Sequence, residues 1–257
     1  MMLQRSHIAP PRPDILEKGA WALFLDLDGT LLDIAASPES VLVPKHLVEV
    51  LATLRNQLGG ALAILSGRSL RTIDRLLHPL LISAAGEHGA VLRLPQGDVL
   101  EADASTMVPS HWRQMIHRAA EAWPGVLVEE KSHGLALHYR ANPAFSVPVT
   151  ALLEQFVESD PHFDILPALM ARELRHRSIN KGAALRRLMD NQTFRGRLPL
   201  FIGDDVTDED AIAAAEQMGG IGLRVADAFA GEPARVRAWL SDLAAIDAPL
   251  AQQTARS

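Results

Sequence analysis

Cysteine is absent from the 257 residues. Its absence excludes disulfides, thiolate metal sites and cysteine nucleophiles, and it fits a reducing compartment. Long apolar runs are missing as well: the chain nowhere strings together the roughly 18 apolar residues that a membrane-spanning helix needs. The opening stretch "MMLQRSHIAPPRPD" holds three prolines but no apolar core of the ~7–15 residues typical of a signal peptide. Nor is there an excess of positive charge. The formal charge of −6 argues against a broad nucleic-acid surface, while leaving room for a local basic pocket that takes a small anion. These absences lead to the expectation of a cytoplasmic protein with no nucleic-acid or membrane partner; a monomer is expected separately.

What is present is a hydrophobic content of 48%, enough for a substantial core in one large domain or in one domain carrying a smaller insertion. Short apolar runs alternate with amphipathic stretches. Residues 21–26 predict a buried strand. A helical pattern over 44–57, with Leu47, Val50, Leu51 and Leu54 on one stripe, ends at Gly59-Gly60 and leads to a second strand over 61–65. That is a βαβ unit. Further on, "LPLFIGDD" and "GGIGLRV" predict two more buried strands around a helix near 209–218. The expected fold is α/β, a Rossmann-like parallel sheet.

Between 107 and 175 the rhythm changes to helix, strand, strand, helix, strand, strand. This αββαββ block is expected to be an inserted α+β cap, with a hairpin around Ser132-His133-Gly134 and hinges near 104–109 and 175–180. The catalytic core would then comprise 19–106 and 176–247, preceded by an extension (1–18) and followed by a loose tail (248–257).

In an open α/β sheet the ligand site lies beyond the carboxyl ends of the strands. Four polar clusters fall at such ends. Asp26 and Asp28 follow the first strand, with Gly29 freeing the turn. Ser66, Gly67 and Arg68 follow the second, and Asp204, Asp205 and Asp208 follow "LPLFI". Lys181 opens a helix, where the dipole and free amides favour an anion.

The order DxDGT, S-G-R, K-G, GDDxTDED resembles the haloacid dehalogenase superfamily of phosphohydrolases, over residues 21 to about 225. The resemblance implies a metal-dependent phosphatase working through an aspartyl-phosphate. Asp26 would be nucleophile and metal ligand, and Asp28 would lend its backbone carbonyl to the metal and its side chain as acid and base. Asp204 would complete the ligands, with Asp208 and Asp205 behind them, and Ser66 and Lys181 would touch the phosphoryl oxygens. A carboxylate with a reference pKa near ~4 is ionised at neutral pH and repelled by a phosphate dianion unless cations intervene. Magnesium suits such an all-oxygen site. Crowding by Asp26 is expected to favour the protonated form of Asp28.

"GEHGA", "EEKSHGLALHYR", "REL" and "GDDVTDEDA" further resemble the trehalose-6-phosphate phosphatase family. By that resemblance Glu129, Lys131 and Glu173 of the cap hold the hydroxyls of the disaccharide. Leu27, Gly67, Arg68 and His88 are candidates to line the cleft, with structural roles open for Arg68 and His88. Strand parity agrees, since Glu129 and Lys131 share one face, as do Glu173 and Arg175. The chain departs from the family at His176, usually proline, and at Ile212, commonly aromatic. Histidines 88, 133, 138 and 176 lack a compact zinc-ligand spacing. The expected reaction is hydrolysis of trehalose 6-phosphate. The alternatives are another sugar phosphate, such as sucrose 6-phosphate or a mannosyl phosphoglycerate, and a noncatalytic sugar-phosphate-binding regulator, which would be expected to lack Asp26 or Asp28.

Overall fold

The apolar run Trp21–Leu25 forms β1, and all but its first residue are buried. The computed structural model describes residues 9–12, 19–35 and 40–246; most of the expected extension and the tail at 248–257 lie outside them. Helix α1 (Leu47–Gln57) buries Leu47, Leu51 and Leu54, the stripe that a 3.6-residue period demands. It starts later than the sequence pattern suggests, at the first residue whose amide reaches back to Pro44. Gly59 and Gly60, both with positive φ, end it. Strand β2 (Leu62–Leu65) is buried throughout. Helix α2 (Leu70–Leu77) is capped by Ser69, whose hydroxyl accepts from the Thr72 amide. Next come β3 (Ser83–Gly86), β4 (Val91–Arg93) and β5 (Val99–Glu101).

The segment expected to be a cap contains α3 (Ser110–Glu121), β6 (Leu127–Glu130), β7 (Leu135–His138), α4 (Ser146–Ser159), β8 (Phe163–Ala168) and β9 (Ala171–His176). The chain then returns through α5 (Lys181–Met189), β10 (Leu198–Gly203), α6 (Glu209–Gln217), β11 (Ile221–Arg224), α7 (Val225–Ala228) and α8 (Pro233–Ala245).

Two sheets result. The larger has the order β11-β10-β1-β2-β3-β4-β5. Its first five strands are parallel, whereas β4 and β5 pair antiparallel. The expected parallel sheet is present, and β4 and β5 extend it antiparallel at one edge, because only residues 87–90 separate β3 from β4, too few for a crossover. The smaller sheet has the order β6-β7-β9-β8, antiparallel throughout.

Each sheet has its own core. Leucines of α1, β1 and β2 pack with Phe24, Phe194 and Phe201 under the large sheet, where the Phe24 and Phe194 rings stack at 5.3 Å. Burying each such side chain is worth about 1.5–3 kcal/mol. In the smaller unit Trp112 lies 4.9 Å from Phe156 and 5.0 Å from Phe163, among Leu135, Leu137 and Leu174. Among the described residues no helix is long and apolar enough to cross a membrane. The carboxyl ends of β1, β2, β3 and β10 form one rim, and the β6–β7 turn of the cap segment meets it.

Candidate active site

Asp26 extends β1 by one residue, its amide donating to Ile202 of β10 at 2.9 Å. Its carboxylate is buried, 4% exposed, and faces the first residue of α5. The Lys181 ammonium donates to Asp26 Oδ1 and to Asp208 Oδ1, each at 2.6 Å. Asn180 caps that helix by accepting from the Ala183 amide, which places Lys181 at its first turn. Burial alone would depress the Lys181 ammonium, but Asp26 and Asp208 outweigh it and raise its pKa. The other oxygen of Asp208 accepts from the amides of Asp204 and Asp205, both at 3.0 Å. Asp208 is thereby committed on both sides and holds the loop after β10 in shape.

Asp204 completes the cluster. One carboxylate oxygen from each of Asp26, Asp204 and Asp208 lies within 4.8 Å of the others. Gly29, at φ +78°, makes room for it, because a Cβ there would stand 2.0 Å from Asp204 Oδ2. Desolvation by burial raises the Asp26 carboxyl well above the ordinary carboxylate range, and Asp208 and Asp204 push it the same way against Lys181. Burial and the Asp208 charge push Asp204 up to about 6. A single ammonium does not balance three carboxylates. The donor set is all oxygen, with neither imidazole nor thiolate, and it fits a hard divalent cation such as magnesium. Free ligand capacity lies with Asp26 and Asp204.

The expected crowding of Asp28 by Asp26 is not what the geometry shows. Asp28 turns to Arg68, whose Nε donates to Oδ2 at 2.6 Å and whose Nη2 donates to Oδ1 at 2.7 Å. Ser66 is buried at the end of β2, and its Oγ accepts from the Arg68 amide at 3.2 Å. His88 packs so closely on Gly67 that a Cβ there would be 2.6 Å from the ring. Burial lowers the His88 pKa, with Glu173 acting against it.

The smaller sheet reaches this rim through Lys131 and Glu173. Lys131 donates to Glu173 Oε2, and His88 Nε2 stands 3.6 Å from the same oxygen. Burial would raise the Glu173 carboxyl, but Lys131 and His88 prevail and hold it at about 2. Glu129 stands apart, hydrogen-bonded at 2.7 Å to His138 on the neighbouring strand, a bond that lowers its pKa.

Not every candidate converges. The Leu27 side chain is in the core and its carbonyl accepts from Leu31 and Leu32. Asp205 is exposed and caps the turn 206–208 through the Val206 amide. Histidines 88, 133, 138 and 176 disperse onto Glu173, Thr106, Glu129 and Ser178, and among the described residues only the aspartate trio could hold a metal. Glu87, Ser132 and Arg175 lie at the rim without being among the candidate site residues of the sequence. Glu87, in the turn after β3, accepts from Ser132 in the β6–β7 turn, and Arg175 is buried with Nε and Nη1 unpartnered. Glu87 lay in view within "GEHGA"; no local signal marked its contact with Ser132, 45 residues away.

Comparison with known proteins adds an independent line. The trehalose-phosphatase family model matches residues 24–232. A probable trehalose-phosphate phosphatase of Sinorhizobium fredii is 39% identical over 206 residues, covering 80% of this chain and 77% of that protein. The trehalose-6-phosphate phosphatase of Escherichia coli is 32% identical over 213 residues, covering 83% and 79%. Among solved structures, the C-terminal domain of the Candida albicans trehalose-6-phosphate phosphatase superposes with a TM-score of 0.74 at 19% identity, covering 92% of this chain and 98% of that one. That likeness speaks for the fold, the haloacid dehalogenase type. With its aspartates, Lys181 and the Lys131–Glu173 pair gathered at one rim, and with a family match over residues 24–232, the chain belongs to the trehalose-phosphatase family.

Proposed function

We propose that this protein hydrolyses trehalose 6-phosphate to trehalose and inorganic phosphate, with Asp26 as the nucleophile. The observation that carries the reading is the meeting of two sites. The Asp26–Lys181–Asp208 cluster of the core and the Lys131–Glu173 pair of the cap face one cleft, with His88 between them.

Lys181 and the Ser66 hydroxyl bind the phosphoryl oxygens and orient the phosphorus toward Asp26. The Asp26 carboxylate attacks phosphorus, the bond to the sugar oxygen breaks, and Asp28 gives that oxygen a proton. Asp28 then takes a proton from a water, whose oxygen attacks the aspartyl-phosphate and restores Asp26. To act so, Asp28 must be freed from Arg68, and the phosphate oxygens of the substrate compete for that guanidinium. The Asp26 and Asp204 carboxylates and the Asp28 carbonyl would hold a magnesium ion, which would supply the charge neutralisation that lets a carboxylate approach a phosphate dianion. Lys131, Glu173 and Glu129 hold the sugar hydroxyls, and a cap docked over the aspartates keeps bulk water from the intermediate.

Phosphate release from a panel of sugar phosphates tests the proposal, with magnesium and with a chelator. Trehalose 6-phosphate is expected to exceed sucrose 6-phosphate and mannosyl-3-phosphoglycerate by at least about tenfold in kcat/KM, and the chelator is expected to stop turnover. Equal rates across the panel, or turnover indifferent to the chelator, would remove the substrate or the metal from the reading.

A further inference from the structure

Beyond β3 the chain makes a single 3-10 turn, Glu87–Gly89, in which two residues carrying a Cβ, Glu87 and His88, hold φ of 50° and 59°. Left-handed backbone is disfavoured for such residues and persists where surrounding contacts enforce it. Here two backbone bonds do so. The Glu87 amide donates to the Arg68 carbonyl and the His88 amide to the Ser66 carbonyl, both at 2.9 Å. The turn is thus bolted to the loop that borders the phosphate end of the cleft.

Its side chains leave the core and meet the cap. His88 faces Glu173. Glu87 Oε2 accepts two bonds from Ser132, 2.8 Å from the amide and 2.5 Å from Oγ. Ser132 follows Lys131 in the β6–β7 turn, where the Lys131 amide donates to Gly134. The direction of this grip is informative. The buried Arg175 guanidinium lines the same small cavity, together with Lys131, His133 and Glu173, and keeps Nε and Nη1 unpartnered. Yet the Glu87 oxygen serves the uncharged serine.

We propose that Glu87 is a positioning residue for sugar recognition. By holding Ser132 it docks the β6–β7 turn on the core and fixes the Lys131 ammonium over the cleft. The inference rests on the function proposed above. It also makes a specific demand: Glu87 matters only for substrates that use the cap, because its bonds cross from core to cap and exist only in the docked arrangement.

The experiment compares Glu87→Ala, Glu87→Gln, Ser132→Ala and the double variant Glu87→Ala/Ser132→Ala. Each is assayed with trehalose 6-phosphate and with p-nitrophenyl phosphate in magnesium. Glu87→Ala is expected to raise KM for trehalose 6-phosphate about tenfold while leaving kcat/KM for the aryl phosphate within about twofold. Glu87→Gln, which keeps an acceptor oxygen, recovers most of the loss. Ser132→Ala gives a smaller loss of the same selectivity, about threefold, and the double variant is no worse than Glu87→Ala. Equal losses on both substrates, or losses that multiply in the double variant, overturn the proposal. Should Glu87→Ala fail to fold, Ser132→Ala decides, and wild-type behaviour there overturns it. Wild-type protein that leaves trehalose 6-phosphate intact would sink the functional reading and this inference together, whereas an active wild type with unselective variants sinks only the latter.

Discussion

Replacing Lys181 by methionine removes the ammonium that, among the described residues, touches the aspartate cluster, while keeping a stem of similar volume. Lys181 is 3% exposed, and its Nζ lies 2.6 Å from both Asp26 and Asp208. Breaking a buried ion pair from one side costs about 3–5 kcal/mol, because the remaining charge is stranded. At roughly 2–4 °C per kcal/mol for a chain of this size, the metal-free variant is expected to melt about 6–20 °C below the wild type at pH 8. The deficit has a sign in pH. A carboxyl whose folded pKa lies above its unfolded value favours the fold while protonated, and that contribution is lost as pH rises through the folded value. Asp26 is already raised by burial, and without Lys181 it rises further. The deficit is therefore expected to be largest at pH 8 and to shrink by more than about half at pH 5, where the carboxyls take up protons in place of the missing ammonium. Thermal melts of both proteins in chelator, from pH 5 to 8, measure it. The wild-type baseline must be subtracted, since Asp204, at about 6, weakens the metal-free wild type over the same range. A deficit below about 2 °C, or one independent of pH, refutes the claim that Lys181 offsets the aspartate charges.

Asp26→Asn is expected to lower turnover by about 10⁴-fold or more with the fold intact by circular dichroism, and a rate near that of the wild type would dismiss Asp26 as nucleophile. Magnesium at about one hundred times its Kd is expected to stabilise the protein by ~2.7 kcal/mol, about 5–10 °C. The gain is expected to be larger at pH 7.5 than at pH 5, because Asp204, at about 6, must release its proton to bind the ion; equal shifts at both values would argue that the ion binds elsewhere. Lys131→Ala strips Glu173 of the cation that holds it at about 2. It is expected to cost about 10–100-fold in kcat/KM for trehalose 6-phosphate and less than about threefold for p-nitrophenyl phosphate. Parallel losses on the two substrates would take Lys131 out of sugar recognition.

The aspartate rim was legible because each of its motifs closes a segment with a clear period. Asp26 ends a continuous apolar run, Asp204 follows another, and Lys181 opens an amphipathic helix, so parallel topology alone carries them to one edge. The antiparallel edge β4–β5 and helix α2 were not legible. These elements span between three and eight residues, too short for a period to declare itself. The side-chain partner of Asp28 was not legible either, for a different reason. Its neighbour in sequence is Asp26, but its partner in space is Arg68, 40 residues away, and adjacency in the chain says nothing about which way a side chain turns.

By itself the sequence determined that a buried sheet would end in clustered carboxylates beside a basic helix start, and that a second α+β unit would interrupt it, because periodicity and strand-end chemistry are local properties. Tertiary structure alone decided which charges share an environment. Burial of Asp26, the commitment of Asp208 to Lys181 and two amides, the turn of Asp28 toward Arg68 and the grip of Glu87 on Ser132 all depend on distances between segments far apart in the chain. Electrostatic energies are set by those distances and by the exclusion of water, neither of which a linear order of residues specifies.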